Sequence, residues 1–287
     1  MPHRRRFLST LAAFPLGAGV SAAFSQQRRP QKEYLRVGVA TSLSDSGFAH
    51  HIRTAVAHST GMAIEIVAGP SGQVLNSLEA GEIDIGITHA PDIELALERQ
   101  GLVHDRRFVA SNDFLIAGPV ERPAPVKGRK KPPPPKDPLG LLGGQDAVAA
   151  LAQVAAAGQQ AAAQFVAPVD RSGAWFKQAA LWKAAGVSPQ GAWYLESAGG
   201  MGETLAQANA RGAYVLVDRG TWTAARQRGG LAVVVEGDER LVDSYHAMRS
   251  FRANHPAGKL FMDWLTGPLG RRAVAGAPGG YRTTPVA

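Results

Sequence analysis

Residues 36–47 read RVGVATSLSDSG. Val37, Val39 and their neighbours have the β-branched, alternating pattern of a strand, and residues 48–59 carry the pattern of a helix. A strand that breaks into small hydroxyl residues where a helix begins makes a seat for an anion. Unpaired backbone N–H groups and the positive end of the helix dipole point to one place, and Thr41, Ser42, Ser44 and Ser46 add O–H donors without adding negative charge. A plainer reading is that Ser44, Asp45 or Ser46 simply caps the helix. A second stretch of the same grammar is what separates the two.

The same alternation continues outward. Residues 62–67 (MAIEIV) pattern as a second strand, the turn 68–72 (AGPSG) opens a helix near Gln73, and residues 83–87 (IDIGI) form a strand that ends at Thr88-His89-Ala90-Pro91 before a further helix. Residues 114–119 (FLIAGP) read as another strand. Strands and helices alternating over short connections define an α/β protein with a mainly parallel sheet, in which ligands sit beyond the carboxyl ends of the strands. Thr41-Ser42, Ser71-Gly72 and His89-Ala90 all fall just past strand ends. Further on, an alanine-rich helix over 145–163 precedes the short strand 165–167. That strand runs into Asp170-Arg171-Ser172-Gly173-Ala174 and another helix, a second seat of the same kind in which Arg171 adds a full positive charge. A glycine-rich turn at 199–202 opens the next helix, residues 213–217 form a strand ending at Asp218-Arg219-Gly220-Thr221, residues 231–236 form another, residues 245–251 suit an extended crossover, and residues 256–265 a helix.

The chain has 287 residues, 45% hydrophobic and 19% charged, and a formal charge of +8. That length buries one large core or two medium ones. Residues 1–25 have the basic start, apolar middle and small-residue end of an export signal, and Arg4-Arg5-Arg6-Phe7-Leu8 fits the twin-arginine pattern. Its removal takes three positive charges with it and leaves a chain expected to be soluble and, in a diderm bacterium, periplasmic. The absence of cysteine excludes disulfides and lipid attachment through an N-terminal cysteine. Residues 122–140 (RPAPVKGRKKPPPPKDPLG) are a proline- and lysine-rich insert suited to an exposed loop with neither helix nor strand. No arginine–aromatic pattern points to nucleic acid.

These blocks together resemble the tungstate-binding proteins of ABC importers, within the type II periplasmic binding protein superfamily. The resemblance is carried by TSLSDSG at 41–47, PSGQVL at 70–75, GEIDIGITHAP at 81–91 and NDFLIAGP at 112–119. In the second half it is carried by DRSG at 170–173, LWKAAGVSPQGAWYLESAGGMGETL at 181–205, AYVLVDRGTW at 213–222 and EGD at 236–238. It implies two α/β lobes, each a mainly parallel sheet flanked by helices, joined by two crossover strands: residues 33–117 and 244–287 in the first lobe and 118–243 in the second. It also implies a non-catalytic, monomeric receptor with no cofactor, closing on a bare oxyanion such as tungstate or molybdate and serving an ABC permease. Thr41 and Ser42 match the family's hydroxyl pair, Ser71 the hydroxyl before Gly72-Gln73, Ser172-Gly173 its second-lobe loop, and Arg219 the arginine of its Asp-Arg-Gly-Thr segment. Arg171 stands where a second aspartate is common. Pro168 replaces an arginine and Ala174 a threonine.

The chemistry of the guest fits these residues, since a tetrahedral dianion needs many donors and no carboxylate acceptor, and one arginine strengthens the contact. Against that stand plainer roles: turn glycines at Gly72, Gly173 and Gly202, and salt bridges of Arg171 and Arg219 with Asp170 and Asp218. A different small anion, or a ligand-free exported scaffold docking through the 122–140 insert, are the alternatives. His50, His51 and His89 lack metal-ligand spacing, no GxSxG motif is present, and Gly200-x-Gly202 lacks the rest of a phosphate loop.

Overall fold

The computed structural model describes residues 34–123, 134–226 and 228–285. The expected export signal and residues 124–133 of the insert lie outside the described residues. The first part of the chain runs β1 (Leu35–Ala40), α1 (Thr41–Asp45), α2 (Phe48–Thr60), β2 (Ile64–Gly69), α3 (Ser71–Ala80), β3 (Ile85–Thr88), α4 (Pro91–Arg99) and the long strand β4 (Val103–Pro119). It continues with α5 (Ala147–Gln159), β5 (Phe165–Pro168), α6 (Gly173–Ala184), β6 (Tyr194–Ser197), α7 (Met201–Arg211), β7 (Tyr214–Asp218), α8 (Arg219–Ala224) and β8 (Leu231–Val235). It returns through β9 (Val242–Ser250), α9 (Ala257–Thr266) and α10 (Pro268–Gly276).

The strands lie in the order β2-β1-β3-β9-β4-β7-β5-β6, with β8 also on β4. The outer groups are parallel: β1 with β2 and β3, and β5 with β6 and β7. Between them β4 and β9 run antiparallel to each other over most of their length and antiparallel to their other neighbours. The sheet is therefore mixed, with two parallel wings joined by two long crossover strands. The hydrophobic interior divides in the same way. One core gathers buried side chains from Phe114 to Leu241, whereas the others draw on residues 35–110 and 245–281.

β4 begins eleven residues before the apolar run that announces it in the sequence. Its first half carries Asp105, Arg106 and Arg107, and Asp105 adopts a left-handed φ of 57° where the pairing with β9 shifts register. A bulge of this kind breaks the period-two pattern on which strand reading depends. The insert also departs from expectation at its base, where Glu121 and Lys136 exchange both backbone hydrogen bonds (2.8 and 2.9 Å). Just beyond, Tyr214 Oη donates to Asp137 Oδ1 at 2.5 Å.

The turn between α9 and α10 is equally tight. A Cβ on Gly270 would overlap the carbonyl oxygens of Trp264 and Leu265 and stand 2.6 Å from the Leu265 carbonyl carbon. Those are backbone atoms that cannot rotate away. Gly270→Ala is expected to cost about 2 kcal/mol, read as a fall of about 5 °C in Tm by thermal denaturation.

Candidate functional site

The carboxyl ends of all six parallel strands point at the junction between the two wings. Thr41 follows β1, Ser71 follows β2, His89 follows β3, Ser172 lies beyond β5, Met201 beyond β6, and Asp218 ends β7. These six residues, with Phe114, Asp170 and Ala174, belong to the lining of a single small cavity of about 10 Å³. Thr41, Ser71 and Met201 are the first residues of α1, α3 and α7, and Ser172 is the N-cap of α6. The cavity thus receives the positive ends of several helices, with N–H groups unpaired within them.

The side chains complete a donor-rich lining. Ser71 Oγ is fully buried and has no hydrogen-bond partner among the described residues. An orphaned buried hydroxyl costs free energy unless something joins it. Ser42 Oγ shares a 3.0 Å hydrogen bond with the hydroxyl of Tyr245 on β9. Ser172 Oγ accepts from Trp175 N–H at 3.4 Å, closing the first turn of α6. None of Ser44, Asp45 and Ser46 caps α2, whose N-cap is Gly47 with no side-chain cap bond, so the plain capping alternative for the opening stretch does not apply.

Two carboxylates share this lining, and both are tied to backbone. Asp170 Oδ1 accepts from Ser172 N–H at 3.1 Å. Asp218 Oδ1 accepts from Thr221 N–H at 2.8 Å as the N-cap of α8. Burial pushes the Asp218 pKa up, against the pull of its Thr221 hydrogen bonds and of His89.

His89 is almost wholly buried. Its Nδ1 pairs closely with Asp243 Oδ2, and its ring stacks on Tyr245 with centroids 4.7 Å apart. Burial, the largest influence, opposes charge on the imidazole. Asp243, by charge and by hydrogen bond, with Asp218 and Glu94 outweighs it and leaves the pKa raised. The turn bearing His89 is pinned by Glu94, whose Oε1 accepts from Thr88 Oγ1 (2.6 Å) and Ala90 N–H (2.9 Å).

The two wings meet through glycines. A Cβ on Gly173 would overlap the His89 ring, one on Gly220 would stand 2.9 Å from Ser46 Cβ and from Tyr281 Oη, and one on Gly200 would touch Thr41 Cγ2 at 3.4 Å. The Asp45 carboxyl accepts a hydrogen bond from the backbone of Gly202. None of Gly72, Gly173 and Gly202 has a positive φ. At Gly173 the small size serves close approach, whereas a Cβ on Gly72 or Gly202 would meet nothing nearer than 3.6 Å.

The structure therefore brings Thr41, Ser42, Ser71 and Ser172 together around one cavity, with Gly173 against its histidine. It does not bring Arg219 there. Arg219 donates to Asp113 Oδ2 (2.5 and 2.9 Å) and to Glu236 Oε2 (2.8 Å), bracing β4 against the end of β8; Asp218, the salt-bridge partner considered from sequence, is occupied as a cap. Arg171 is exposed, with a left-handed φ of 56°, and its carbonyl lies 3.6 Å from a Cβ built on Gly72. It sits beside the cavity rather than in its lining. Gln73 is exposed, its Oε1 lying 3.5 Å from a Cβ built on Gly69. His89, Phe114, Met201, Asp170 and Asp218 enter the lining without having been singled out as ligand residues. For His89 the one available signal is its place immediately past a strand end.

Two lobes bridged by a pair of long strands, with a polar cavity enclosed where their parallel strands end, are the architecture of a periplasmic binding protein of type II. The chain belongs to the PBP superfamily, whose domain profile matches residues 25–268. Among relatives, it is 27% identical over 274 residues to the tungstate-binding protein TupA of Peptoclostridium acidaminophilum, covering 91% of this chain and 90% of that one. Among solved structures, the tungstate ABC transporter protein of Geobacter sulfurreducens is 30% identical with a TM-score of 0.70, covering 85% of this chain and 98% of that one. The tungstate-binding protein TupA of Desulfovibrio alaskensis G20 is 25% identical with a TM-score of 0.68, covering 88% and 99%. The resemblance carried by the sequence blocks is thus to the same group of proteins.

Proposed function

We propose that this protein is an exported receptor that captures a tetrahedral oxyanion, tungstate or molybdate, between its lobes in the periplasm and delivers it to an ABC permease. Residues 33–117 and 244–287 form one lobe in this reading and 118–243 the other. The observation that carries it is the unpartnered, fully buried hydroxyl of Ser71 in a cavity where the starts of α1, α3 and α7 and the cap of α6 converge. A bare dianion accepts from all of these donors at once. Thr41, Ser42, Ser71 and Ser172 are its hydroxyl contacts. Gly72 and Gly173 permit the approach of backbone N–H groups, and Gln73 and Arg171 shape the cavity's rim. Arg219 contributes by bracing the second lobe.

No helix among the described residues is long and apolar enough to cross a membrane, in keeping with a receptor that diffuses to its permease. The His89–Asp243 pair has the form of a base and its orienting acid, but no base among the described residues is hydrogen-bonded to Ser71 Oγ to activate it as a nucleophile. Family membership and site geometry both favour binding over catalysis.

Calorimetric titration of the mature chain with tungstate, molybdate, sulfate and phosphate tests the reading. Stoichiometric, tight binding of tungstate or molybdate is expected, and Ser71→Val should weaken it about 10- to 100-fold, the worth of a hydrogen bond to a charged group. Silence toward both anions would overturn the proposal.

A further inference from the structure

Among the described residues the cavity lining contains one side chain able to carry a full positive charge, and it is not an arginine. Arg171 is exposed outside the lining and Arg219 is committed to Asp113 and Glu236. His89 lines the cavity and is held there from every side: Asp243 on β9 takes Nδ1, Tyr245 on β9 stacks on one face, and Phe114 on β4 lies parallel at 6.1 Å. Glu94 fixes the residues before and after it. With Nδ1 engaged, Nε2 is the ring's remaining donor, and it has no protein hydrogen-bond partner among the described residues. The edge bearing it faces Gly173, the first residue of α6.

That juxtaposition is electrostatically odd. An imidazolium and a helix N-terminus are both positive, and each disfavours the other. An anion lying beside both removes the conflict and gains a charge-assisted hydrogen bond from Nε2. Resting on the oxyanion reading above, we infer that His89, oriented by Asp243, is the charge-bearing donor to the bound anion and couples capture of the anion to retention of a proton on its ring.

The charged and titratable groups around His89 fit that role. Asp243 on β9, Asp218 at the end of β7 and Glu94 on α4 all favour its cationic form. Asp170, in the loop before α6, lines the same cavity. Tyr245 stays protonated, its pKa pushed up by burial. Lys177 on α6 is 5.9 Å from the centre of the Phe114 ring and donates to the Val242 carbonyl oxygen at 2.7 Å. Because the histidine pKa is raised in the folded protein, the charge is present below the ordinary histidine value and is lost only as pH climbs through the higher folded one. Affinity should follow the same sign.

The test is titration of the mature chain with sodium tungstate from pH 6 to pH 9, where tungstate remains a dianion. Wild-type affinity is expected to fall with rising pH, approaching tenfold per unit once the imidazole is neutral. His89→Gln, which retains a donor without the charge, should bind at least tenfold more weakly at pH 6 and show a flat profile. Asp243→Asn keeps the shape but removes the carboxylate that stabilises the imidazolium, and should move the midpoint of the wild-type profile to lower pH, which a merely structural contact would not do. Binding by wild type with an unchanged pH profile in both variants overturns this inference alone. Absence of binding by wild type at every pH overturns it together with the oxyanion reading.

Discussion

Gly173→Ala is expected to lose tungstate binding by at least a hundredfold while leaving the ligand-free protein as stable as wild type or slightly more so. The two halves of that expectation have different origins. Gly173 is the first residue of α6 and has no positive φ. Alanine is therefore accepted by the helix at this first position. The added methyl, however, falls on the ring of His89, which follows β3 on the other side of the cavity. The ring cannot step aside, because Asp243, Tyr245 and Phe114 hold it from the other directions. The substitution leaves each lobe intact and obstructs only their approach. A ligand that needs donors from both lobes then loses the closed state it selects, and about 3 kcal/mol against closure is a hundredfold in affinity. Calorimetry with tungstate and a melting curve of the free protein separate the two halves. A binding constant like that of wild type would show that α6 and His89 need not meet to hold the guest.

This contact also marks the boundary of what could be read from residues alone. The α/β alternation, the hydroxyl-bearing turns at Thr41-Ser42 and Ser71, and the second seat at Ser172 were legible because each depends on local pattern: a β-branched run, a small polar residue, a helix start. The lengths of most elements followed for the same reason. β4 was legible only in its apolar half, since the bulge at Asp105 and the charges of Arg106 and Arg107 hide the strand that crosses between lobes. α1 was hidden because five residues starting at Thr41 are too short to show a helical period.

The site's electrostatics were less legible than its hydroxyls. Arg219 is adjacent to Asp218 in sequence, yet its guanidinium reaches Asp113 and Glu236, 106 and 17 residues away. These partners, Asp113 first, hold its pKa above the ordinary arginine value. His89 finds its partner in Asp243, 154 residues further on. No spacing rule connects such pairs; only the pairing of β3 with β9, and of β4 with β7 and β8, places them side by side. Charge at the site is a tertiary property here, whereas its small donors are written locally.

Glu94 extends that argument to stability, and its removal is expected to be the most damaging single change outside the cavity. Its carboxylate is completely buried. Oε1 accepts from Thr88 Oγ1 and Ala90 N–H, while Oε2 accepts from Arg106 Nε at 3.1 Å and Nη2 at 2.9 Å. Burial pushes the Glu94 pKa up, with Thr88, Ala90 and Arg106 pulling it back only in part. A largely buried ionised pair of this kind adds little net stability, but removing one member is another matter, because the partner charge remains partly buried and uncompensated. Glu94→Ala should therefore cost about 3–5 kcal/mol, a fall in Tm of roughly 6–20 °C. The double replacement Glu94→Leu with Arg106→Leu should recover part of that loss, since it removes both charges and refills the space. It should not recover anion affinity to the same extent. Thr88 and Ala90 flank His89 directly, and without an acceptor between them the turn that aims the imidazole is released. Stability regained without binding regained, measured on the same two variants, would assign Glu94 its second task; recovery of both together would leave it only the first.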